Sequence, residues 1–180
     1  MRTLQAAGIG AVTGAISASG AMMISGQFSI YVIPGLVFGV AFATLLSQQL
    51  TMKPWQVLGY VAAATAGNAA AVEVAMMIDG VLRYGESWNM AISGLGAGAL
   101  GGGLLAAASV PLLGLAWGRL PASVVTLALT GGVLGAVFLP AVDDIDPYLF
   151  NGAGAYVFYI AWQAGYAAVS ARTLWSNRSP

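Results

Sequence analysis

Residues 55–79 carry the side chains with the most chemical promise in this 180-residue chain. The stretch is apolar and long enough to cross a bilayer as a helix, which takes about 20 residues. It holds Glu73 inside its apolar run, with Thr65 and Asn68 nearer its middle. A carboxylate at bilayer depth costs at least roughly 2.5–3.5 kcal/mol, so its presence points to an ion, a proton, a substrate or a partner charge. Glu73, Asn68 and Thr65 are therefore predicted to mark a substrate or ion pathway. Each also has a plainer reading. Glu73 lies near the end of its span, roughly 7–8 Å below the surface at 1.5 Å per residue, within reach of Arg83 or water. Thr65 and Asn68 share a helix face and suit interhelical hydrogen bonds, worth about 0.6 kcal/mol in membranes. Glu73 sits about 140° around the helix from Asn68, so the two need not line one path.

A second constellation lies near the C-terminus. Tyr156, Tyr159, Trp162 and Tyr166, with Gln163 alongside, fall on one helical face. Such a face could stack a flat or amphipathic ligand, or fill the space beside a glycine-rich neighbour. Asn151 could complete a polar mouth with the acidic loop. That loop, Asp143, Asp144 and Asp146 before Pro147, offers oxygen ligands to a hard cation. Its spacing lacks the glycine and distal glutamate of an EF-hand, and solvated acids are the simpler reading. Residues 96–101 match G-x-G-x-x-G literally, but a dinucleotide site needs a preceding strand and a soluble crevice. Pro34 and Pro111 are expected to kink their helices.

The composition excludes much. There is no cysteine and no histidine, so disulfides, thiol catalysis, Cys or His metal sites, His- or Cys-ligated haem and His acid–base chemistry are absent. No pair of acids stands at a catalytic spacing within a span, and the chain is not expected to be an enzyme or to need a cofactor. Six basic and six acidic residues cancel, which leaves no field to attract nucleic acid. Only 7% of residues are charged and 59% are hydrophobic, where soluble domains carry about 25% charged residues. The lipid bilayer is the expected environment, with a bacterial inner (plasma) membrane as the expected location.

The elements that must position these residues follow from the charges. The predicted fold is an all-α membrane protein, a single compact bundle of six spans at about 4–24, 29–50, 55–78, 90–115, 122–140 and 148–170. The first is read as a retained helix, not a cleaved leader. Residues 79–89 are read as a polar loop. An even number of spans puts Arg2, Lys53, Arg119, Arg172 and Arg178 on one side and Arg83 on the other. Basic residues concentrate on cytoplasmic loops, so both termini are predicted in the cytoplasm. Trp55, Trp117 and Trp175 then sit at the inner interface, and Tyr84, Trp88 and Tyr148 at the outer one, as aromatic belts do.

Glycines recur at four-residue spacing: Gly10/Gly14, Gly35/Gly39, Gly94/Gly98/Gly102 and Gly131/Gly135. Small residues let helix backbones approach in lipid, so spans one and four are expected to pack most closely. Residues 8–11 resemble 94–97, a faint sign of an inverted repeat. In size and helix count the chain is similar to the substrate-binding S components of energy-coupling-factor vitamin transporters. That resemblance implies a scaffold partner meeting Ala7, Ala11 and Ala15, although the first external loop here is short. The expected function is a small transport component: a channel, a compact carrier or a membrane-embedded substrate-binding subunit. The alternative is a non-catalytic subunit of a larger complex, joined to homo- or hetero-oligomeric partners through Gly/Ala faces.

Overall fold

A computed structural model describes residues 3–24, 27–82, 87–114, 118, 120–142 and 152–176. Among them are six long helices: α1 (Thr3–Met23), α2 (Gln27–Ser47), α3 (Pro54–Leu82), α4 (Ser87–Leu113), α5 (Leu120–Phe138) and α6 (Ala153–Ser176). Helices satisfy their backbone polar groups internally, which is what the bilayer core demands. The first five are long and apolar enough to cross a membrane. Their outer surfaces are apolar too: Val12, Ile16, Leu36, Val40, Val125, Leu129, Val133 and Val137 are exposed. Five long apolar helices with apolar exteriors point to a membrane protein.

The sixth helix differs. It has the length to span, but tyrosines, tryptophan and Gln163 lower its apolarity. Among its described side chains only Arg172 is exposed. Three of its polar side chains bond to neighbouring helices. Tyr156 shares a hydrogen bond with Ser19 Oγ at 2.8 Å, Trp162 Nε1 donates to the Gly131 carbonyl at 3.3 Å, and Tyr166 donates to the Gly102 carbonyl at 2.8 Å. An enclosed helix does not need an apolar exterior.

The helices form a closed ring in chain order. Each packs on the next, and α6 returns to α1. Neighbours run antiparallel, as paired positions show: Gly20 beside Ile33, Gly35 beside Ala64, Gly67 beside Gly101, and Gly154 beside Ala141. Gly10 and Gly14 likewise lie against the Gln163 and Tyr159 backbone. The start of α1 and the end of α6 therefore share one end of the bundle.

Glycine sets the closest approaches. On α4 and α5, Gly94 meets Gly135, Gly98 meets Gly131, and Gly102 meets the Leu127 carbonyl. Each four-residue step up α4 matches a four-residue step down α5. A Cβ at any of these α4 glycines would overlap the α5 backbone. Of the expectation for spans one and four, the structure supplies the partners: α6 for α1 and α5 for α4. The two similar tetrapeptides do different jobs. Gly10 abuts the α6 backbone, whereas Gly96, its counterpart, faces the Ile78 side chain.

Several boundaries move. The loop expected over 79–89 is shorter, because α3 continues through Leu82 and α4 begins at Ser87. Asp79 is half-buried and its backbone stays within α3, so polarity alone does not end a helix. α6 starts later than expected, after Gly152 in a left-handed conformation (φ 92°) that interrupts the helical path. α3 starts at Pro54 as read, and Gln56 caps it: its Oε1 accepts the Lys53 amide N–H at 2.7 Å. Gln56 Nε2 donates to the Leu112 carbonyl at 2.6 Å, closing the end of α4. Pro34 and Pro111 both lie inside their helices.

Arg2, Arg83, Arg119, Arg178, Tyr84, Trp117 and Tyr148, and the Trp175 side chain, lie outside the described residues. Of the orienting cations, Lys53 at the start of α3 and Arg172 near the end of α6 fall at the same end. Trp55 and Trp88 are exposed at opposite ends.

Candidate functional site

The two halves of the ring are filled differently. At the end holding Lys53 and Arg172, bulky residues occupy the centre. Phe38 stacks on Phe42 with centroids 5.3 Å apart, and Phe42 on Tyr60 at 6.0 Å. Tyr166 meets Phe38 edge-on at 6.1 Å and stacks on Trp162 at 5.3 Å. Leu46, Leu105, Val110 and Leu127 complete this core. Aromatic rings interlock in such offset and edge contacts and bury much area.

In the other half the walls are too small to meet. α3 presents Ala64, Gly67, Ala71 and Ala75 to the centre, and α4 presents Gly94, Ala97, Gly98 and Gly101. A cavity of about 320 Å³ results, bounded by all six helices. Small-molecule sites begin at about 300 Å³ and are mostly apolar with a few placed polar groups. The opposite wall is α6, three places round the ring from α3, with Phe158, Tyr159 and Trp162. Phe38 forms part of the floor above the aromatic core.

Two carboxamides stand in this otherwise apolar lining: Asn68 and Gln163. Both bond to the backbone of α2 around Pro34. Pro34 has no N–H, so the Ile30 carbonyl one turn earlier loses its helical donor. Asn68 Nδ2 replaces it, donating to Ile30 O at 2.9 Å and to Tyr31 O at 2.7 Å. Gln163 Nε2 donates to Ser17 Oγ at 2.9 Å and to Pro34 O at 3.5 Å. A carbonyl only accepts, which fixes the amide's orientation. Gln163 Oε1 is left buried without a hydrogen-bond partner.

The sequence-predicted residues separate. Asn68 lines the cavity. Thr65 donates to the Val61 carbonyl of its own helix at 2.9 Å and is not in the lining. Glu73 is exposed on the outside of the bundle, where Tyr31 donates to its Oε2 at 2.8 Å. Of the three, only Asn68 lines the cavity. Of the aromatic face, Tyr159, Trp162 and Gln163 reach the cavity, Tyr166 supports it from below, and Tyr156 pairs with Ser19. Asp143, Asp144, Asp146 and Asn151 lie outside the described residues. Among the described residues, no group of three or more His, Cys, Asp or Glu stands together as metal ligands.

Sequence reasoning missed the pairing of Gln163 with Ser17 and Pro34. The signal was present in part: a proline inside an apolar helix frees a carbonyl, and some polar side chain must meet it. It also missed the cavity, whose trace is the run of Ala and Gly on α3 and α4. Comparison with known proteins returns no matching family model, no similar curated protein and no similar solved structure.

Proposed function

We propose that the chain is a small integral membrane transport component that captures a small apolar molecule in the cavity between its helices. The observation that carries this reading is a hollow of about 320 Å³ bounded by all six helices. The packed aromatic core beneath it argues for a capture site or carrier over an open channel. An apolar lining suits an uncharged molecule, because a desolvated ion would find too few ligands there. In the proposed topology α6 is the sixth span and both termini are cytoplasmic. The cavity then lies in the outer half, at the end where α1 joins α2, α3 joins α4 and α5 joins α6.

The test is thermal unfolding of the purified chain in mild detergent against a panel of small aromatic and aliphatic solutes. Capture predicts that some solutes raise the midpoint, since a ligand that binds only the folded state stabilises it. Filling the cavity with Ala155→Phe should abolish the shift while leaving cooperative unfolding. If no solute shifts the native chain, and native lipid extraction instead yields a stable complex with a second polypeptide, the accessory-subunit reading replaces this one.

A further inference from the structure

We infer that the cavity is built for a flat, mainly apolar molecule bearing one hydrogen-bond donor, an N–H or O–H, that Gln163 Oε1 accepts. This rests on the capture reading and specifies its ligand. Gln163 is 1% exposed and lines the cavity. Its nitrogen is committed to Ser17 on α1 and Pro34 on α2. Its oxygen is the side chain's one uncommitted polar atom. A buried acceptor without a donor is unfavourable, and a ligand donor removes that penalty. An analogue lacking the donor leaves the oxygen unmet, so the site discriminates by a hydrogen bond more sharply than by fit.

The walls give the shape. Across the ring, the Ala and Gly face of α3 stands opposite Phe158, Tyr159 and Trp162 of α6. A smooth small-residue wall facing aromatic rings leaves a slot, and a planar molecule fills such a slot by stacking. Asn68 Nδ2 is held by the Ile30 and Tyr31 carbonyls; its Oδ1 is a second acceptor in the lining, so the Gln163 variants decide which oxygen takes the donor.

The test uses 2-naphthol and 2-methoxynaphthalene, which share a flat body and differ in the donor. Equilibrium binding is measured to the full chain in lipid nanodiscs, with empty nanodiscs subtracted. The expected result is that 2-naphthol binds about tenfold more tightly than the ether, and that Gln163→Leu or Gln163→Met removes the preference. The comparison on the native chain stands even if neither variant folds. Equal binding of both compounds would overturn the role of Gln163 while leaving capture intact. Binding of neither, by a chain that still unfolds cooperatively, would overturn the capture reading and this inference together.

Discussion

Asn68 Nδ2 donates at 2.9 Å to the Ile30 carbonyl, the acceptor that Pro34 leaves without its helical partner. A side chain of α3 thus completes the backbone of α2. Gln163 reaches the Pro34 carbonyl from α6, so the backbone of α2 around the proline is held from two other helices. These bonds also place both carboxamides at the cavity wall.

Asn68→Ala should lower stability by about 1 kcal/mol, between the membrane average for a hydrogen bond and the penalty for a buried unmet carbonyl. In a Pro34→Ala background, residue 34 regains an N–H for Ile30, and the loss should shrink by about half. A double-mutant cycle in reversible unfolding measures this coupling. Equal losses in both backgrounds would break the link between the proline and the carboxamide.

Gly98→Ala should cost about 1–3 kcal/mol, as overpacking does, because the added methyl overlaps the Gly131 backbone. Gly8→Ala is the control. Gly8 has open space around it, and alanine is the better helix former by about 1 kcal/mol. Thermal midpoints of the two variants should therefore move in opposite directions or differ widely. Similar midpoints would argue against glycine contact as the basis of the α4–α5 seam.

Glu73→Gln should leave ligand binding in the cavity unchanged, because Glu73 faces outward and is tied to Tyr31. Tyr31→Phe should behave alike, and neither should move the thermal midpoint appreciably, because their hydrogen bond is exposed on the outside of the bundle. Loss of binding in Glu73→Gln with the fold intact would return Glu73 to the ligand path.

The absence of native cysteine makes single-cysteine labelling clean. Lys53→Cys and Arg172→Cys should react from one face of the membrane and Asp79→Cys from the other, using an impermeant maleimide on intact and permeabilised cells. The proposed orientation has Asp79→Cys labelled in intact cells. Labelling of Lys53→Cys and Asp79→Cys from the same face would refute the threading of α3.

By itself the sequence determined the helical membrane character, most helix limits and the small-residue faces. These follow from local rules: apolar run length, Pro54 at a helix start, and glycines returning to one face every four residues. It could not tell that Gly98 meets Gly131, or that α6 closes the ring against α1, because a small face suits any helix that can approach it. The helical offset of about 140° already set Glu73 apart from Asn68; tertiary structure alone decided that Asn68 faces a cavity, and that Gln163 has one bonded and one unbonded polar end. It also decided where the hollow lies, since emptiness depends on what stands across the ring from each alanine and glycine.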